Sequence, residues 1–234
     1  MKLFSYSSQR YFSALLRLLS LDWLAESVSN EIKADQVAWI SELLAGYVSS
    51  ADTGNEELVI ASRASLGSFC NSDPSNLDLI CKGLMENLKS RQGQDRVLVP
   101  TLEIVAFLLN VGLLQRSAEV DARSLCLMVQ KSSYKSGNVR KIDACARVYG
   151  GVAALSGMEG GVATRRRNEG VAEAKKRLGA LMFHPWPKVR NSVVDVVWTV
   201  VEGDEEMERK LKGVDWGKAE SSYVKETVNG LGLA

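Results

Sequence analysis

The hydrophobic residues of the chain recur every three to four positions, which is the spacing of a helix with one buried face. The first such pattern follows Ser8 and comprises Tyr11, Phe12, Leu15, Leu16 and Leu19. Similar patterns predict further helices at about residues 35–49, 56–70, 76–90, 96–111, 120–133, 138–155, 165–183, 187–202, 204–212 and 216–230. Strict alternation of apolar and polar residues is missing, so we predict an all-α protein.

Turn-forming residues separate the predicted helices. They lie at residues 52–55, 71–75, 136–138 and 157–161. Pro74 suits the first turn of a helix, because the N–H that proline lacks would have no partner there. We expect Ser75 or Asn76 to cap this helix.

Residues 193–201 are rich in β-branched side chains, which favour strands over helices. Their spacing nevertheless favours a helix, because Val189, Val193, Val197 and Val201 fall in one row and Pro187 is placed for a first turn. We therefore predict a helix here as well.

Two segments of the chain resemble each other. Residues 138–142 and 188–192 both place a Val-Arg pair near the start of a helix, ahead of an apolar run, and residues 58–66 give a weaker match. Their separation is slightly longer than the period of HEAT repeats. We predict an irregular HEAT/armadillo-like α-solenoid of antiparallel helix pairs, with an ordinary multi-helix globule as the alternative. It should form a single domain over residues 1–234, with a soft boundary near residues 156–163.

Composition narrows the possible functions. The 29 basic and 28 acidic residues leave a formal charge of +1, which argues against a dedicated nucleic-acid binder. The four cysteines are far apart and predict buried thiols in a reducing compartment. The amino-terminal segment lacks the unbroken apolar run of a signal peptide, and the apolar residues 104–114 are too few to span a membrane as a helix.

Catalytic chemistry has few candidate residues in this sequence. His184 is the single histidine, which excludes any site that needs more than one imidazole, and a structural role at a loop-to-helix corner suits it better. The glycine-rich residues 157–161 lack the GxxxxGK[ST] pattern of a phosphate loop and fit a flexible connection. We predict no catalytic residue, no cofactor site and no metal site, and no nucleotide hydrolysis by the chain alone.

Basic residues cluster after the glycine-rich connection. The cluster, called the basic cluster below, comprises Arg165, Arg166, Arg167, Lys175, Lys176, Arg177, Lys188 and Arg190. It fits either a solvated helix face or a docking surface for an acidic partner. Interleaved aromatic residues are missing, which disfavours RNA. Trp186, between two prolines, is either an interface anchor or a wedge at a corner.

Several stretches resemble the C-terminal region of the tubulin-folding cofactor D family. These are residues 10–19, the segment VIASRASL at 59–66, the segment DRVLVPTLE at 95–103, the segment LMFHPWPKVR at 181–190, and Asp215-Trp216 with the helix predicted after it. The resemblance spans nearly the whole chain but only the last part of a much longer protein. Residues 21–33 depart from the family pattern.

The resemblance implies a HEAT-repeat protein of the cytoplasm and cytoskeleton that captures β-tubulin after the chaperonin. With cofactors E and C and an Arf-like small GTPase, such a protein assembles or takes apart the αβ-tubulin dimer and stimulates GTP hydrolysis by tubulin. Because tubulin is strongly acidic, the resemblance makes the basic cluster and Trp186 the candidate contact. A HEAT-like adaptor for trafficking or nuclear transport is the alternative function.

Overall fold

The computed structural model describes residues 56–133, 136–155 and 163–234. Within these residues it contains nine α-helices, a short 3-10 helix at Leu114–Arg116, and no strand. The helices are α1 (Glu56–Ser72), α2 (Pro74–Ser90), α3 (Asp95–Asn110), α4 (Ala122–Ser133), α5 (Val139–Ala153), α6 (Ala163–Leu181), α7 (Pro187–Val201), α8 (Glu205–Leu211) and α9 (Ser221–Gly230). The predicted all-α class is confirmed for this part of the chain. The helices predicted near Tyr11 and at residues 35–49 lie outside the described residues.

The described residues form two compact units, one ending at Val120 and the other beginning at Asp121. In the first unit α1, α2 and α3 pack against one another. In the second, α4 packs against α5, and these two helices also pack against the helices two places further along the chain, so that α4 contacts α6 and α5 contacts α7. Packing of this kind is consistent with a HEAT-like helical region. The single domain predicted over residues 1–234 stays a prediction.

Helix α2 begins at the position expected for Pro74, but a different residue caps it. The Asp73 carboxylate accepts the backbone N–H of Ser75 at 2.7 Å, so Asp73 is the cap and the expected Ser75 or Asn76 is not. Asp73 holds the extended backbone conformation that a cap residue needs, whereas the two later residues are already helical. A capping carboxylate also interacts favourably with the positive end of the helix.

The valine-rich segment is helical, as its spacing predicts. In α7 the row formed by Val189, Val193, Val197 and Val201 is buried, and Pro187 occupies the first helical position. Burial of this row against α5 outweighs the weak preference of β-branched residues for strands.

The last predicted helix starts later than its apolar spacing indicates. It begins at Ser221 rather than near residue 216, because the preceding residues form a turn in which the Asp215 carboxylate accepts the Gly217 N–H at 3.1 Å. Trp216 is buried in this turn, and its indole N–H donates to the Leu211 carbonyl at 3.2 Å. The spacing of apolar residues shows that a residue such as Trp216 is buried, but it does not show whether that residue belongs to a turn or to a helix.

Helices α4 and α6 approach closely at a glycine. A Cβ added to Gly170 of α6 would lie 2.8 Å from the carbonyl carbon of Ala122 and 2.9 Å from the backbone nitrogen of Arg123, both on or next to the first turn of α4. Real Cβ atoms do not approach backbone so closely. The absence of a side chain at residue 170 therefore permits this contact.

All four cysteines are buried and free. Burial raises the pKa of Cys70 and of Cys126 to about 12, and that of Cys81 to about 11. These thiols therefore stay protonated at pH 8, and their contribution to stability is lost as the pH rises from the ordinary value of 9.0 through the raised values. We expect the native chain to react slowly with Ellman's reagent at pH 8 and the chain in denaturant to react fast. Rapid modification of the native chain would contradict the burial of these side chains.

Candidate functional site

The basic cluster begins on α6, where burial decides which of its residues face solvent. Gly170, Val171, Ala174, Leu178 and Gly179 are buried and form the inward face of the helix. The exposed residues of the opposite face are Arg166, Asn168, Ala172, Lys176 and Ala180. Arg167 and Lys175 are partly exposed at its border, and the side chain of Arg165 lies outside the described part of the structure.

Several arginines at this surface are already paired. Arg177 donates from its Nε to the Glu173 carboxylate at 2.7 Å, one turn earlier on α6. The Arg166 guanidinium lies 3.9 Å from the Asp121 carboxylate, although its side chain stays 80% exposed. Exposed pairs of this kind contribute little to stability. Lys175, Lys176 and Lys188 have no ion pair among the described residues.

The loop between α6 and α7 presents two exposed aromatic side chains. Phe183 is 43% exposed and Trp186 is 39% exposed. The Trp186 ring packs edge-on against His184, with ring centroids 5.2 Å apart, and the Trp186 backbone N–H donates to His184 Nδ1 at 3.2 Å. Burial, together with the nearby Arg190 guanidinium, lowers the pKa of His184. These contacts fit the structural role at a loop-to-helix corner that the sequence favours for His184.

Arg190 holds this corner in place. Its Nη1 donates to the His184 carbonyl at 2.7 Å, its Nε donates to the Trp216 carbonyl at 2.8 Å, and its Nη2 donates to Gly217. The guanidinium thus joins the α6–α7 loop to the turn before α9 and has a structural role. Lys188, two residues earlier on α7, is exposed.

The structure therefore divides the basic cluster. Arg166 and Lys176 lie on the outward face of α6, Lys188 lies exposed at the start of α7, and Arg177 and Arg190 are engaged within the fold. The sequence showed the charges but not this division. Sequence reasoning also missed Leu127, which is 47% exposed on α4, and Lys131 one turn after it. Leu127 lies off the buried row of α4, which is formed by Leu125, Cys126, Val129 and Ser132, and this displacement is the sequence signal that could have indicated its exposure.

The described residues provide neither a metal-binding cluster nor a membrane-spanning helix. There, no group of three or more His, Cys, Asp or Glu side chains could hold a metal ion. No helix in this part of the chain has the length and apolar character needed to cross a membrane.

A family model described as tubulin folding cofactor D C terminal matches residues 2–141. Comparison with curated proteins and with solved structures finds no match. The matched residues cover more than half of the chain and include α1 to α4 with the start of α5. The similarity noted at residues 181–190 and at Asp215-Trp216 lies after them and stays a prediction.

Proposed function

The chain belongs to the family of the tubulin folding cofactor D C-terminal domain, and we propose that it binds β-tubulin and takes part in assembly and disassembly of the αβ-tubulin heterodimer after the chaperonin. The family match is the observation that carries this proposal. A region of a folding cofactor works by binding rather than by catalysis, so we propose that it is not an enzyme.

Membership of this family also indicates which partners to expect. We propose that the chain acts with cofactors E and C and an Arf-like small GTPase, and that it contributes to a GTPase-activator role through that complex. Its place of action would be the cytoplasm, in association with the cytoskeleton. The nucleotide chemistry would belong to these partners.

The outward face of α6 is the part of the basic cluster that fits an acidic partner. Lys176 is exposed and has no ion pair among the described residues, and Arg166 is largely exposed beside a single carboxylate. Tubulin is strongly acidic, so an electrostatic contact would speed association and weaken with salt, since exposed charges are screened beyond about 8–10 Å at physiological ionic strength.

The double variant Arg166→Glu/Lys176→Glu tests this contact. We expect it to capture less β-tubulin than the unchanged chain in a pull-down at low salt, with a smaller difference at high salt. Its melting temperature should change little, because both side chains are solvated.

The matched control is Lys212→Glu/Lys225→Glu, which reverses the same number of exposed charges elsewhere in the second unit. Capture should be preserved in this control. Equal capture by both double variants at low salt would show that the outward face of α6 is only a solvated face. Failure of the unchanged chain to capture β-tubulin would refute the proposed function itself.

A further inference from the structure

Helices α4 and α6 lie side by side with their residues in a constant register. The Arg166 guanidinium lies near the Asp121 carboxylate, Arg123 pairs with Glu169 at 3.0 Å, and the Cys126 thiol donates to the Gly170 carbonyl at 3.7 Å. The paired residues are 44 to 46 positions apart throughout (166 − 121 = 45, 169 − 123 = 46, 170 − 126 = 44). The two helices therefore run parallel.

This register aligns the exposed residues of the two helices. The same separation of about 45 positions continues further along both helices. It places Leu127 level with Ala172, and Lys131 level with Lys176. All four side chains are exposed. These four residues are called the α4–α6 face below, and along it the apolar Leu127 and Ala172 come one turn before Lys131 and Lys176.

The charges of the α4–α6 face are unevenly balanced along its length. Near the start of the helices, Arg123 and Arg166 each have a carboxylate partner. Further along, Lys131 and Lys176 have no ion pair among the described residues and lie at the same level. Two exposed lysines without a carboxylate partner give this part of the face a positive charge, so carboxylates from a partner would be favourable there.

The apolar part of the face distinguishes between kinds of acidic partner. Leu127 is 47% exposed, and Phe183, just after the end of α6, is 43% exposed. A flexible tail of carboxylates would contact the lysines and leave these side chains in water. A partner that covers the apolar side chains as well as the lysines must carry apolar side chains of its own, at intervals that match this surface, as one side of a helix does.

We propose that the α4–α6 face binds an acidic amphipathic helix of a partner protein, with its apolar side chains on Leu127 and its carboxylates on Lys131 and Lys176. The inference rests on the proposed function, because it names the kind of segment that the partner presents to this region. The exposed Leu127 favours this partner over a polyphosphate such as a nucleic acid, whose backbone would contact the lysines alone.

Two synthetic peptides of the same composition test the proposal. One is a fluorescent helix of about 16 residues with leucines at three-to-four spacing and glutamates elsewhere, and the other is its scrambled isomer. By fluorescence anisotropy with the full chain, we expect the amphipathic peptide to bind at least about tenfold tighter than the isomer. Equal affinities would show that charge alone attracts the peptide, and would overturn the proposal.

Single variants locate the binding site. Leu127→Ser and Lys131→Glu should each weaken binding of the amphipathic peptide by about tenfold. The matched controls are Val111→Ser, another exposed apolar residue, and Lys225→Glu, another exposed lysine, and both should bind as the unchanged chain does. Coinciding melting curves would confirm that all four variants fold. Equal losses in the controls, or self-association of the chain that Leu127→Ser abolishes, would overturn the proposal.

The peptide assay contains no tubulin, so it fails independently of the proposed function. A chain that captures β-tubulin and ignores the amphipathic peptide would refute the inference alone. A chain that binds the peptide at the α4–α6 face but captures no β-tubulin would refute the proposed function alone.

Discussion

Replacing Gly170 with alanine should lower the free energy of unfolding by about 1–3 kcal/mol. The new methyl group would lie within 3 Å of backbone atoms at Ala122 and Arg123. Backbone cannot rotate away as a flexible side chain can, so α4 and α6 must separate to make room. Thermal melting would measure the loss, and faster hydrogen exchange in α4 and α6 would locate it.

Gly67 provides the matched control for this substitution. It also lies within a helix, α1, but an added Cβ there would meet no atom within 4 Å. Gly67→Ala should therefore stabilise the chain by about 0.5–1 kcal/mol, through helix propensity alone. If Gly170→Ala were also stabilising, the close approach of α4 and α6 would be refuted. Because the α4–α6 face depends on this approach, Gly170→Ala should also weaken peptide binding.

Replacing Arg190 with alanine should destabilise the second unit by about 2–3 kcal/mol. The substitution leaves the carbonyls of His184, Trp216 and Gly217 without their charged donor. Arg190→Lys should recover little of the loss, because an ammonium group cannot reach three separate carbonyls as the planar guanidinium does. Lys188→Ala, two residues away at an exposed position, is the control and should melt as the unchanged chain does. An unchanged melt for Arg190→Ala would refute the structural role of this residue.

The pKa of His184, the single histidine of the chain, provides a second test of the Arg190→Ala variant. The pKa of His184 is lowered first by burial and second by the Arg190 guanidinium. Because the folded pKa lies below the ordinary value, this group destabilises the fold as the pH falls below about 6.5. Removing the guanidinium should raise the pKa of His184 toward the ordinary value, as an NMR titration of its ring would show. A pKa unchanged in the variant would mean that the corner does not bring the two groups together.

The fold class could be predicted from the sequence because helix periodicity is a local property. In α7, the spacing of Val189, Val193, Val197 and Val201 was sufficient to predict a helix against the preference of the individual residues. The similar residues 138–142 and 188–192 lie at the starts of α5 and α7, and these two helices pack together. The Ser192 hydroxyl of α7 donates to the Asp143 carboxylate of α5. The segment at residues 216–220 was assigned to a helix incorrectly, since spacing does not separate a buried turn from a buried helix face.

The sequence by itself determined the helices, the family and the presence of the basic cluster, because each depends on residue types and on spacings along a short stretch of chain. Only the tertiary structure decided which of these charges are available. Arg190 is engaged by carbonyls up to 27 positions away, and Arg123 by a carboxylate 46 positions away. The alignment of Leu127 and Lys131 with Ala172 and Lys176 likewise depends on the close packing of α4 against Gly170. Contacts between residues so distant in the chain follow from how the helices pack, and local periodicity carries no information about that packing.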